Sequence, residues 1–290
     1  MAPPDLGRIG VWGHLDSLAA TDARAYARRV DELGFGALWV PETVGREPFA
    51  LLGMLAGEVR RAWLGTSIVS IWGHDAQATR MGAATLSEAT GDRFVLGLGV
   101  SHPHLAAKLR GHDFDRPLTR MREYLAAYRA AVYRGPGSDD APILVAALRE
   151  RMLDLSATDA DGAFPYLVTP ERVAWMRDRL DAAAQGTHPL LAVTLPVWLG
   201  DDREAARAYL KPYLRTPTYH ASWELQGFDP ADLEGPGSDR LVDAMVAIGS
   251  ADVARARIGE FHVAGADHVA VIPIAPDGTT EHLATLEALA

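Results

Sequence analysis

The sequence predicts an α/β fold, an eight-stranded parallel (β/α)8 barrel, and three observations predict it. Short apolar runs alternate with longer amphipathic ones, and eight such apolar runs occur in order. The chain has 290 residues, 48% of them hydrophobic, enough for one closed barrel with a substantial core. We therefore expect residues 1–290 to form a single barrel domain. An open doubly wound sheet is the alternative arrangement of the same units.

The elements follow in order. The first strand is expected at 6–13 (LGRIGVWG), followed by a helix at 21–34. There Thr21 or Asp22 can cap the start, Tyr26, Val30 and Leu33 share a face, and Gly34 can close the end. The second strand is FGALWVPE (35–42), with a helix over 48–59. The third strand is AWLGTSIVSIW (62–72), with an alanine-rich helix over 75–89. FVLGLGV is the fourth strand, and Leu118, Met121, Leu125, Tyr128 and Val132 are spaced to bury one face of the helix that starts near Pro117. GPGSDD (135–140) reads as a loop, PILVAAL (142–148) as strand five, 149–159 as its helix and GAFPYLV (162–168) as strand six. Thr169 and Pro170 make a strong helix start. Strand seven is PLLAVTLPVWL (189–199), and helical pieces run to about Met245, broken by a second GPGSD (235–239). A helix over 250–263 leads to strand eight, DHVAVIPI (267–274), after which no further helix is evident.

Composition removes several function classes. There is no cysteine, so disulfides, zinc–thiolate sites and cysteine nucleophiles are excluded. The formal net charge of −10 speaks against a nucleic-acid binder. MAPPDLGRIGV lacks a charged leader followed by an apolar stretch, and no window approaches a membrane span, so a cytoplasmic protein without a membrane partner is expected.

In a barrel the chemistry collects where the strands end at their C-termini. The residues to inspect are His14, Glu42, Ser70 to His74, Ser101 to His104, Leu148 to Arg151, Phe164 to Tyr166, and Thr194. The stretch FVLGLGVSHPH (94–104) has three readings. As a dinucleotide loop it lacks a third glycine, and Pro103 removes a backbone donor. As a metal site, His102 and His104 need further ligands at other strand ends, yet strand one offers only His14 and Asp277 comes late; no metal is expected. The third reading is a buried strand stopping at a site, with Gly97 and Gly99 packed against a barrel wall or a bound ring. No G-x-S-x-G motif supports a serine nucleophile. Glu42 alone is clearly placed among the acids, so paired-carboxylate chemistry lacks its second member, and Glu42 can equally pair with Arg46 at the surface. Trp12, Trp39, Trp72, Phe164 and Tyr166 lie near predicted strand ends; each can plug the barrel, and together they suit a pocket for a flat ring and a small-molecule substrate.

Four stretches, FGALWVPE, LGTSIVSIW, ATLSEATGDRFVLGLGVSHP and ILVAALRERMLDLSATDADGAFPYLVTPE, resemble the luciferase-like flavin and deazaflavin oxidoreductases. The similarity runs from about residue 6 to 274, is most specific from Ala84 to Ser101, and is greatest to the coenzyme F420-dependent branch. It implies a luciferase-like TIM barrel with a ring cofactor at the strand C-termini, coenzyme F420 or alternatively FMN. It further implies a non-proline cis peptide between Ser67 and Ile68, with Ser67, Ile68 and Val69 behind the ring. By the same resemblance Ser101 and His102 meet the ring's edge, and Phe164 and Tyr166 flank the cofactor chain. Ala146, Ala147 and Leu148 replace a turn often rich in glycine, with Arg149 and Arg151 available for a phosphate. The activity implied is hydride transfer between F420 and a small organic substrate; an FMN-dependent monooxygenase and a barrel without catalysis are the alternatives. His14 is the expected proton carrier, with Glu42 in reserve or orienting it and His102 as a further candidate. The family also suggests a homodimer.

Overall fold

The computed structural model describes residues 4–136, 141–184 and 186–290. Its parallel strands close in chain order. β1 (Ile9–Trp12) pairs with β2 (Ala37–Val40), and β2 with β3 (Trp63–Thr66), whose continuation β4 (Val69–Ser70) pairs with β5 (Phe94–Gly99). Next come β6 (Ile143–Val145), β7 (Gly162–Ala163) and β8 (Leu190–Trp198), which carries the short β9 (Ala247–Ile248) at its end. β10 (His268–Pro273) pairs with both β8 and β1 and closes the barrel. The Ser67–Ile68 peptide between β3 and β4 is cis.

Helices α1 (Ala20–Glu32), α2 (Pro48–Leu55), α3 (Ala76–Thr90), α4 (Pro117–Ala130), α5 (Glu150–Asp159) and α6 (Pro170–Ala183) cover the first six barrel positions. An excursion after β8 carries α7 (Glu204–Leu210), α8 (Pro217–Glu224) and α9 (Asp239–Met245), and α10 (Ala251–Val263) leads into β10. α11 (Leu283–Leu289) follows β10 and buries Leu286 and Leu289, an eighth covering helix that the sequence pattern did not reveal. Local chemistry starts many of these helices. Asp75, Thr169, Ser238 and Ser250 each cap a first turn by accepting a backbone N–H, and Pro170 occupies the first turn of α6. α1 departs from expectation, because it begins at Ala20 behind Ala19, which makes no side-chain cap, and Thr21 and Asp22 lie inside the helix.

One strand and one helix are shorter than expected. Only Gly162 and Ala163 of GAFPYLV pair as strand; Pro165 has no N–H to give, and Leu167 sits at φ 55°. Val132 lies beyond α4 and is exposed, so the buried face ends at Tyr128. Of the loop at 135–140, residues 137–140 lie outside the described residues.

Alternation along the strands separates two apolar regions. Val11, Leu38 and Leu64 face the helices, while Trp12, Trp39, Val95, Leu144, Phe164, Ala192 and Ala270 fill the lumen. Gly65 makes room there, since a Cβ at this position would lie 2.3 Å from the Trp39 ring. The lumen is thus packed from below, and open space begins only above it.

Candidate active site

That open space is a cavity of about 680 Å³ at the C-terminal ends of the strands. Trp12 and Phe164 form part of its apolar wall, joined by Thr194 of β8. The Ser67–Ile68 peptide, Ser101 and the Ala146–Ala147–Leu148 turn contribute the face above β3 to β6. Ser101, at φ 55°, is a non-glycine residue in the left-handed region, a conformation that tends to gather at functional sites. Tyr166 follows β7, and Tyr213 and Tyr219 come from the excursion after β8. The Trp12 indole donates to the Ser67 carbonyl at 3.3 Å, and its ring centre lies 6.0 Å from that of Tyr166.

The ionisable groups differ in environment. His14 is partly exposed, with Nε2 3.6 Å from an Asp16 oxygen. Asp16 also accepts from the Arg46 backbone at 2.9 Å, and the Arg46 guanidinium donates to the carbonyls of Leu15 and Leu18. His102 is largely buried, its Nδ1 3.4 Å from the Thr218 hydroxyl and its ring stacked on that of His104. Burial, with His104 adding to it, pushes the His102 pKa down to about 4, so the imidazole is neutral near pH 7. Glu42 is buried and fully engaged: it accepts from the Ser70 N–H at 2.7 Å and from Arg110, and His74 Nε2 lies 3.4 Å away. The Glu42 carboxylate in turn holds His74 above its ordinary pKa.

A groove of about 710 Å³ adjoins the cavity, the two sharing Pro117, Arg149 and Met152 as walls. Arg116, Arg149, Arg151 and Arg172 line it. Glu150 and Asp154 bind Arg179 instead of Arg149 or Arg151, leaving those two without a carboxylate partner among the described residues. Arg172 lies 3.8 Å over the Trp175 ring and donates to the Leu148 carbonyl at 2.9 Å, yet its Nε is buried without a partner. Arg116 pairs with Asp115 at 3.3 Å and Glu150 also lines the groove, so Arg149, Arg151 and Arg172 are the guanidiniums left to suit an anionic ligand.

A family model described as luciferase-like monooxygenase matches residues 5–268. The chain belongs to that family. It is 25% identical over 350 aligned residues to a Mycobacterium tuberculosis protein provisionally named as a coenzyme F420-dependent oxidoreductase, covering 97% of both. Among solved structures it resembles an F420-dependent secondary alcohol dehydrogenase in complex with an F420–acetone adduct, with a TM-score of 0.78 at 13% identity over 97% of this chain and 96% of the other. It also resembles the oxygenating constituent of 3,6-diketocamphane monooxygenase of Pseudomonas putida in complex with FMN, with a TM-score of 0.69 at 15% identity over 91% of each.

Within this luciferase-like barrel most of the residues singled out in the sequence converge on the cavity: Trp12, His14, Glu42, Ser67, Ile68, Ser101, His102, Ala146, Ala147, Leu148, Arg149, Phe164 and Tyr166. Four do not. Val69 is fully buried and faces the helices. Trp39 is fully buried in the lumen, where its indole donates to His268 at 3.0 Å. Trp72 donates to the Val100 carbonyl at 2.8 Å and packs on His112 and Phe114, outside the cavity wall. Arg151 lines the groove but not the cavity. Two sequence readings of Glu42 need correction. Glu42 pairs with Arg110 and His74, not Arg46, and the imidazole it holds is that of His74, not His14. The glycines of β5 serve the barrel wall, since Cβ atoms at Gly97 and Gly99 would lie 2.0 Å from the Thr66 carbonyl and 2.7 Å from the Ile68 side chain. Sequence reasoning missed Arg116, Arg172, Tyr213 and Tyr219. The one available signal was the run YLKPYLRTPTYH (209–220), dense in tyrosine between the last two barrel strands.

Proposed function

We propose that the protein is an oxidoreductase that moves a hydride between the deazaflavin coenzyme F420 and a small organic substrate. The observation that carries this reading is the pairing of an aromatic cavity with an adjoining arginine groove through the shared Arg149. The residues fit such a cofactor: the cavity suits a flat ring, and the unpartnered Arg172 Nε with Arg149 and Arg151 suits a phosphate and an anionic tail. When bound, F420 supplies a two-electron hydride carrier. The Ser67–Ile68 peptide and Ala146 to Leu148 would hold the ring, with Phe164 and Tyr166 beside the chain. Ser101 and neutral His102 would offer hydrogen bonds at the ring's edge. His14, close to Asp16 and open to solvent, would carry a proton at Nε2.

The second reading, FMN-dependent monooxygenation, is favoured by the family itself and by the likeness to an FMN-bound fold. The arginine groove favours the longer anionic tail of F420. We further read residues 1–290 as one domain acting in the cytoplasm on a small molecule, as a homodimer, without nucleic acid or membrane. The charge of −10 supports the reading without nucleic acid, and among the described residues no helix is long and apolar enough to cross a membrane.

Titration with oxidised F420 and with FMN, followed by absorbance, tests the reading. F420 is expected to bind more tightly than FMN. Arg149→Ala should weaken F420 by about ten- to a hundredfold at low salt and flatten its salt dependence. Unchanged affinity and salt dependence would rule the arginine out, and tighter FMN binding would favour the monooxygenase.

A further inference from the structure

The cavity lining holds two kinds of polar group: Arg149 brings a charge, whereas Thr194, Tyr166, Tyr213 and Tyr219 bring hydroxyls set among aromatic rings. Thr194 is 2% exposed on β8, and its Oγ1 has no hydrogen-bond partner. It stands two residues beyond Ala192, on the strand face that fills the lumen, and so forms part of the cavity floor beside Phe164. An unpartnered buried hydroxyl is costly, so a ligand that satisfies it recovers that cost. Above it the Tyr166 hydroxyl contacts those of Tyr209 and Tyr213, the latter at 2.7 Å. The ring of Tyr219 stands edge-on to that of Tyr213 at 5.3 Å. Burial holds the phenols of Tyr166, Tyr209, Tyr213 and Tyr219 above their ordinary pKa, so all stay uncharged near neutrality.

We infer that Thr194 and the tyrosine wall form a subsite for the oxygen of an uncharged carbonyl compound and of its alcohol. A hydroxyl suits both members of that couple: it donates to a carbonyl and accepts from an alcohol, which neither an arginine nor a carboxylate can do. Among the described residues no arginine or lysine other than Arg149 joins Trp12, Thr194, Tyr213 and Tyr219 in the lining; the imidazoles packed there are His102, which burial keeps neutral, and solvent-facing His14, so a carboxylate seated at Thr194 would lose its hydration without an arginine or lysine beyond Arg149 to meet it. The aromatic surfaces favour a ring or branched hydrocarbon attached to the oxygen-bearing carbon.

The ligand's metabolic meaning rests on the oxidoreductase reading, but its capture is measurable without turnover. Acetophenone, 1-phenylethanol, ethylbenzene and benzoate would be titrated into the protein by calorimetry, with and without oxidised F420. Acetophenone and 1-phenylethanol are expected to bind, with benzoate at least tenfold weaker. Thr194→Val, close in shape but without the hydroxyl, should weaken both oxygen ligands about three- to tenfold and leave ethylbenzene unaffected, while Thr194→Ser restores the parent values. Should Thr194→Val fail to fold by circular dichroism, Tyr213→Phe gives the same comparison. Benzoate binding as well as acetophenone, or an equal loss for ethylbenzene, or no loss at all, overturns the subsite. F420 bound with acetophenone ignored removes the subsite alone. Acetophenone captured with F420 ignored removes the cofactor reading alone.

Discussion

Two histidines illustrate how position decides chemistry. His102 borders the cavity, whereas His268 lies fully buried in the lumen, between the Trp39 indole and the Gly7 carbonyl, the latter 2.7 Å from its Nδ1. Burial pushes both down to about 4 from an ordinary 6.5. Below pH 6.5 the unfolded chain protonates these rings while the folded chain does not, so the unfolded state binds more protons and stability falls as pH drops toward 4. Each ring accounts for up to about 3 kcal/mol of that loss at pH 4. Urea unfolding of the parent and of His102→Asn between pH 7 and pH 4 checks it; the variant should show a shallower decline. Equal slopes would mean that His102 titrates normally in the folded state.

At the scale of strands and helices, the glycines separate structural need from accident. A methyl group at Gly97 would enter the Thr66 carbonyl across the β3–β5 seam, whereas a methyl at exposed Gly53 on α2 meets nothing within 4 Å. Gly97→Ala is therefore expected to cost at least about 2 kcal/mol, and Gly53→Ala to stabilise by about 0.5 to 1 kcal/mol, both read from thermal or urea unfolding. The same seam shows what the sequence made legible. The apolar runs identified every barrel strand, because a strand covered on both faces has to be apolar throughout. Depth along the barrel was not legible. Trp12 and Trp39 are register partners with side chains on the same face, yet Trp12 borders the cavity while the Trp39 ring lies over Gly65 toward His268. Periodicity assigns a face; only three-dimensional packing assigns a level. Tyr213 and Tyr219 stayed hidden for another reason: they sit on short helical turns whose placement depends on the barrel beneath.

Across the whole molecule, closure is completed late in the chain. β10 joins β8 to β1, and α11 covers the join with Leu286 and Leu289. Removing residues 283–290 should cost about 3 to 6 kcal/mol through those two leucines, visible as a lower urea midpoint with barrel secondary structure retained at low denaturant. The groups proposed to face the cofactor and those proposed to face the ligand also differ in how the chain delivers them. Ser67, Ser101 and Arg149 hang from turns between strands that must meet for the barrel to close. Tyr213 and Tyr219 ride instead on the excursion between β8 and β10, two strands that pair directly without it. That excursion behaves as a cassette mounted on a finished scaffold. On the proposed roles, selectivity can change by rewriting one contiguous piece of chain while the electron-carrier half is inherited intact, so preference and redox machinery are free to evolve at different rates.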